Sequence, residues 1–233
     1  MITIRRGTDR GTTKTPWLNS KHTFSFGSYH DLEHMNFGVL RVINEDRVIP
    51  GAGFQAHSHR DMEIISYVLE GSLEHKDSLG TGSIIKPGEV QLMRAGSGIT
   101  HSEFNPSDNE PIHFLQIWII PDQKGLEPSY QQKSFQDIRK SGQLTLLVSP
   151  GGEEGGLMIH QDVKVYILDL AQDQTYTYPL ESNRMAWVQV ARGEVLLNGD
   201  VLHQGDGAGL VDETNLVFKA IENCEILVFL LLR

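Results

Sequence analysis

Short runs rich in Val, Ile, Leu, Phe and Tyr recur along the chain at roughly ten-residue intervals, punctuated by glycine. The clearest are "FGVLRVI", "EIISYVLEG", "EVQLMRA", "IHFLQIWII", "MAWVQVARGEVLLNG" and "EILVFLLL". None carries the 3.6-residue apolar period of a long amphipathic helix, and "YQQKSFQDIRKSG" has room for one or two helical turns at most. The pattern predicts an all-β chain of sandwich or barrel type.

Between Pro121 and Gln143 this rhythm lapses into a polar stretch with two prolines, as expected of a passage between two β domains. It resumes afterwards in a faintly repeated form. "YVLEGSLEH" is echoed by "VQVARGEVLL", "KPGEVQLM" by "HQGDGAGLV" and "HFLQIWI" by "EILVFLL". The expected organisation is therefore a duplicated barrel, 1–130 followed by 131–233, with the linker at about 121–143.

Histidine breaks this symmetry. Eight of the ten lie between His22 and His113, and the second-half counterpart of the "HSH" region, "TYTYPLESNRM", has none. Any chemistry that needs imidazole is expected in the first barrel.

Composition narrows the function classes. With 233 residues, 39% hydrophobic and 21% charged, the chain can bury a real core. A net charge of −10 without a basic cluster disfavours direct contact with the phosphate backbone of nucleic acid. Cys224 is the only cysteine, which leaves no internal disulfide and no cysteine zinc site. The start, "MITIRRGTDRGTTKTPWLNS", lacks the apolar segment of a signal peptide, and no apolar run is long enough to span a membrane, so a cytoplasmic location is expected.

The chemistry gathers in two short stretches. Along a strand, residues i and i+2 share a face with Cα atoms about 6.6 Å apart, so His57 and His59 can converge on one ion. Forty-two residues after His59, "GSGITHSEFN" repeats the spacing with His101 and Glu103. Two such strands offer three imidazoles and one carboxylate, a set suited to a redox-active divalent ion.

"GAGFQAHSHRDMEIISYVLEG" resembles the first motif of the cupin superfamily through Gly51, His57, His59, Glu63 and Gly71, and "GSGITHSEFN" resembles the second through Gly98, His101 and Asn105. Gly96 stands where that second motif has proline. Within the cupins the chain resembles the bacterial pirins, on the words "HTFSFGSYHD", "LRVINED", "HSHRDMEIISYVLEG", "HKDSLG", "GEVQLMRAGSGITHSEFNPS", "LQIWIIP" and "IHQDVKVY". The resemblance implies a bicupin of two jelly-roll-like barrels, with the metal in the first and the ligands lost from the second. Many cupins draw their fourth ligand from the position of Glu63, whereas pirins use that of Glu103. An unbroken strand would put Glu63 about 13 Å from His59, which agrees with the latter.

The resemblance also implies an activity of the quercetin 2,3-dioxygenase kind, oxygenation of a flavonol or enolic substrate with ring cleavage and release of carbon monoxide. The ion is expected to be Fe(II), with Mn, Co, Ni, Cu and Zn open to the same ligands. Glu103 would serve both as ligand and as acceptor of the substrate's hydroxyl proton. Phe54, Met93, Phe104, Gln116 and His22 are the candidate pocket residues, while His75, near a turn, and His113, at a strand start, are expected off the metal. Two other classes stay open: an iron-containing, redox-responsive regulator acting through a protein partner, and a metal-dependent isomerase on the same barrel.

Overall fold

A computed structural model describes all residues, 1–233, and strands account for nearly all of its regular structure. Its only helical elements are two three-residue 3-10 turns, Gly7–Asp9 and Glu153–Gly155. No helix is long and apolar enough to cross a membrane. The chain forms two compact units, one of Gly11–Gln136 with Ile159–Gln161, the other of Met1–Arg10, Asp137–Met158 and Asp162–Arg233.

The first unit is a sandwich of two antiparallel sheets. Seven strands run in the order Ser129–Ser134, Glu89–Arg94, Glu63–Glu70, Ile112–Ile119, Leu40–Val48, Leu18–His22 and Gly11–Lys14. Four run in the order Gly53–His59, Ile99–Phe104, Leu73–Asp77 and Gly82–Ile85. Leu73 and Ile85 of the smaller sheet pack on Val48, Val68 and Phe114 of the larger, while Ile99 packs on Ile64 and Met93. These alternate residues close the sheets face to face, as period-2 patterning requires.

The polar stretch 121–143 is more than the expected passage. Ser129–Ser134 is an edge strand on Glu89–Arg94, in full register from Ser129 opposite Arg94 to Ser134 opposite Glu89. Its hydrogen-bonding side chains hide it from an apolar count: Gln132 Nε2 donates to the Ile84 carbonyl at 2.9 Å, and the Tyr130 hydroxyl bonds both Ser83 and Gln132. Phe135, just beyond, is fully buried.

The second unit repeats the plan with seven and four strands. Along its larger sheet the order Gly207–Leu210, Arg184–Arg192, Cys224–Leu232, Val163–Leu170 matches Glu89–Arg94, Glu63–Glu70, Ile112–Ile119, Leu40–Val48 of the first. Each echoed sequence thus occupies the same place. Both copies turn on a glycine with φ of +76°, Gly71 and Gly193, where an added Cβ would meet a carbonyl oxygen at 2.8 and 2.2 Å. One departure from the 1–130 and 131–233 division is the amino terminus. Ile2–Arg5 pairs with Gly207–Leu210 in the second unit, where Gly7 N and Arg6 Nη1 bond the buried Asp206 carboxylate at 2.6 and 2.8 Å.

Candidate metal centre

His57 and His59 lie on Gly53–His59, and the paired strand Ile99–Phe104 sets His101 opposite His57 and Ile99 opposite His59. Between His101 and Glu103 the register slips, so that Glu103 faces Phe54 rather than Gln55. This bulge adds one residue to the first strand and returns Phe54 to the face shared by the histidines. At Gly53 the neighbouring strand leaves no room for a side chain: a Cβ there would lie 2.2 Å from the Glu103 carbonyl oxygen.

Three imidazoles converge here. The ring centroids are 4.8 Å apart for His57 and His59, 4.5 Å for His57 and His101, and 4.9 Å for His59 and His101. One ring nitrogen from each falls within 4.8 Å of the others. His57 Nδ1 lies 2.7 Å from the Gln55 carbonyl, which can only accept, so Nδ1 carries the proton and Nε2 the lone pair. His101 Nε2 is buried without any hydrogen-bond partner. Burial, with the neighbouring His57, pushes His59 down to about 4; burial first, then His57, His59 and His75, pushes His101 down to about 2. Three imidazoles that each bring a ring nitrogen within 4.8 Å of the others, two of them held neutral by burial, fit a divalent transition ion.

Glu103 is held from the facing sheet. Ser66 Oγ donates to its Oε1 at 3.1 Å and Gln116 Nε2 to its Oε2 at 2.6 Å. Trp118 Nε1 donates to Gln116 Oε1 at 3.1 Å, which fixes the amide with its NH2 toward the carboxylate. Burial raises Glu103 to about 7, opposed by the Ser66 hydrogen bond and reinforced by Asp46. Ser66 and Gln116 belong to a polar row, His22, Asn44, Gln116, Ser66 and Gln91, of directly paired residues across the larger sheet. Such a row in a buried face is costly unless its members bond one another or the site.

The structure also alters the expected cast. Glu103 shares its close cluster with His101 and His75, not with His57 and His59. His75 is not beside a turn but in mid-strand, completely buried, its Nδ1 3.5 Å from His101 Nδ1. His113, near a strand start as expected, bonds Glu45 Oε1 at 2.9 Å. Met93 lies in the apolar cluster of Ile64, Ala95 and Ile99, fully buried in the core near the end of its strand, and does not line the cavity that opens on His57 and His59. The strand assumed between His59 and Glu63 is broken by a turn at Asp61, φ +51°; Glu63 opens the next strand and accepts from His160 N at 3.1 Å. Asn105 is structural: its amide donates to the Val48 and Glu110 carbonyls and its Oδ1 accepts from Ser107 N.

A cavity of about 690 Å³ opens on His57 and His59. Phe54, Phe104, Gln116 and His22 line it, together with Trp17, Phe26 and Trp118, which the sequence reading missed. Trp118 stands edge-on to His59 at 4.9 Å and to Phe26 at 5.3 Å; Phe26 in turn lies 5.3 Å from His22, and Trp17 meets Phe54 at 5.2 Å. His22 is tied down, with Nδ1 2.8 Å from Asn44 Oδ1 and Nε2 2.8 Å from Thr13 Oγ1. Asp46 also lines the cavity and is raised to about 7 by burial.

Comparison with known proteins places this geometry. Residues 5–119 match the pirin family and residues 146–231 match the quercetinase C-terminal cupin domain. The chain is 42% identical over 229 residues to quercetin 2,3-dioxygenase of Escherichia coli strain K12, covering 98% of each. It superposes on the crystal structure of YhhW from Escherichia coli with a TM-score of 0.96 at 42% identity, covering 99% of this chain and 97% of that one. On the bacterial pirin YhhW in complex with nickel(II) the TM-score is 0.95 at 41% identity, covering 100% and 99%. With the two-barrel plan and a histidine cluster confined to the first barrel, this near full-length likeness makes the chain a member of the pirin family of cupins, built of a pirin domain and a quercetinase-type carboxy-terminal cupin domain.

Proposed function

We propose that the chain is a metal-dependent dioxygenase of the quercetin 2,3-dioxygenase type, acting on a flavonol or a related enolic aromatic. The observation that carries this reading is the aromatic-lined cavity of about 690 Å³ ending on His57 and His59, a volume in the range that encloses a small polycyclic ligand. His57, His59, His101 and Glu103 would hold the ion, with Fe(II) the favoured species. Bound there, it supplies Lewis acidity toward a substrate hydroxyl and a redox-active neighbour for dioxygen.

The side chains do the rest. Trp17, Phe26, Phe54 and Trp118 bury the flat rings of the substrate and exclude water. The carboxylate of Glu103, raised by burial to about 7, is poised to take the hydroxyl proton, while Ser66 and Gln116 keep both oxygens in place. The overall change balances without a reductant: both oxygen atoms of dioxygen enter the cleaved product, one ring carbon leaves as carbon monoxide, and the proton taken at Glu103 is returned to the product.

The test is oxygen-dependent carbon monoxide release from quercetin by protein reconstituted anaerobically with Fe(II) or nickel(II). Release by the parent, and loss of at least a hundredfold in His57→Ala and Glu103→Ala, is the expected result. A metal-loaded parent that releases none defeats the dioxygenase reading and returns weight to a regulatory one.

A further inference from the structure

His75 and Asp77 have no part in the scheme above, yet they are as buried as any residue of the site. Both side chains are 0% exposed, and on Leu73–Asp77 they stand directly opposite Glu103 and His101 respectively. Directly opposed residues of an antiparallel pair share a face, so all four point inward. We propose that His75 and Asp77 are a positioning pair that fixes the tautomer and ring orientation of His101, leaving His101 Nε2 as its ligand atom; this rests on reading the histidine cluster as a metal centre.

The chain of protons follows by elimination. Asp77 Oδ1 accepts from the backbone N–H groups of Leu79 and Thr81 at 2.9 and 3.1 Å, which locks the carboxylate. Its Oδ2 lies 3.0 Å from His75 Nε2 and accepts the proton there. Neutral His75 then has only a lone pair on Nδ1, the atom 3.5 Å from His101 Nδ1. His101 must therefore carry its proton on Nδ1, which leaves a free Nε2, the atom that is buried without a partner. The His75 ring is clamped between those of His101, at 5.2 Å, and Tyr130, at 4.9 Å. A buried imidazole and carboxylate cost desolvation that apolar residues of the same size would not, so fold stability alone is a poor reason for them. A metal-ligating histidine oriented through its second nitrogen is a sufficient one.

Asp77→Asn is the discriminating variant because it preserves shape and inverts hydrogen-bond polarity. With Asn Oδ1 kept on the two backbone N–H groups, its NH2 faces His75 Nε2, which must then accept. His75 would present Nδ1–H to His101, and the His101 proton would move to Nε2. Nickel(II) affinity, measured by competition titration of the full chain, is expected to fall about 10–100-fold in Asp77→Asn and His75→Phe. In His75→Gln the amide oxygen can accept from His101 Nδ1–H and should restore most of that loss. Nitrogen-15 long-range spectra of the metal-free chain should find the His101 proton on Nδ1 in the parent and on Nε2 in Asp77→Asn.

An Asp77→Asn protein with parental nickel affinity and an unchanged His101 tautomer would overturn the proposal, as would His75→Gln behaving like His75→Phe. A parent that bound no nickel would defeat the metal reading instead, and its nitrogen spectra would still decide the tautomer chain. Flavonol turnover enters none of these measurements, so failure of the dioxygenase reading leaves them intact.

Discussion

Around Glu103 each neighbour has a separable job. Gln116 donates to the carboxylate and is itself set by Trp118 Nε1, so Gln116→Leu removes a charge-assisted hydrogen bond worth about 1.5–3 kcal/mol when Glu103 is ionised. Nickel(II) affinity should drop about tenfold or more, as read by competition titration. Phe54 lines the cavity and packs edge-on to Trp17 without bonding a candidate ligand. Phe54→Ala should therefore raise the KM for quercetin about three- to tenfold and leave nickel affinity unchanged, as expected for loss of an aromatic contact. His57, His59, His101 and Glu103 were legible as candidates because the i, i+2 spacing is local. His75 was not, although "HKD" has the same alternation, because a histidine and an aspartate two apart acquire meaning only when the strand beside them carries His101.

At the scale of strands, the bulge opposite Glu103 brings Phe54 onto the histidine face where the two strands approach closely at Gly53. Gly53 permits that close approach, and in Gly53→Ala the new Cβ would collide with the Glu103 carbonyl. The expected cost is about 1–3 kcal/mol, seen as a lower melting temperature, with weakened nickel binding because the ligand strands are forced apart. Glu63 is a second case. Burial raises it to about 7, opposed by the His160 N–H and Arg94, with Asp122 adding to the rise. Between its ordinary value of about 4.5 and about 7 the folded chain keeps a proton that the unfolded chain releases. Its contribution to stability is thus present below about pH 4.5 and is lost as pH rises through about 7. Asp46 and Glu103 slope the same way. Glu63→Gln should flatten the decline by at most about 3 kcal/mol, measured by denaturant unfolding at pH 5 and pH 7.5. Parental nickel affinity in the same variant is also expected; loss of metal would reinstate Glu63 as a ligand.

Over the whole molecule, two copies of one plan have diverged in what fills them. Where the first unit pairs His57 with His101, the second pairs Tyr176 with Phe218 and Tyr178 with Leu216, and these pack into a continuous apolar cluster. Side chains that fill a small barrel leave no room for a ligand cavity between them. The second unit also depends on the first residues of the chain, through the strand Ile2–Arg5 and the bonds from Arg6 and Gly7 to Asp206. Deleting residues 1–6 should destabilise that unit by about 2 kcal/mol or more, because it strips an edge strand and removes the Arg6 guanidinium from the buried Asp206 carboxylate. Differential scanning calorimetry would register the loss, and nickel affinity at the first unit should be unaffected.

Sequence alone determined the β class, the duplicated plan, the gathering of the histidines in one half, and the two i, i+2 pairs proposed as ligands. These are local properties: strand periodicity, glycine punctuation and i, i+2 spacing are written in neighbouring residues. Only tertiary structure decided that the first ligand-bearing strand bulges opposite Glu103, that Met93 is core, that Ser129–Ser134 is a strand, and that His75 backs His101. Each depends on register or on pairing between distant segments. A one-residue slip reverses every side chain on a strand, and the partner that fixes the slip lies elsewhere in the chain. The cavity has the same origin, since His57 of the smaller sheet meets Thr13, His22, Asp46 and Trp118 of the larger only when the two sheets close.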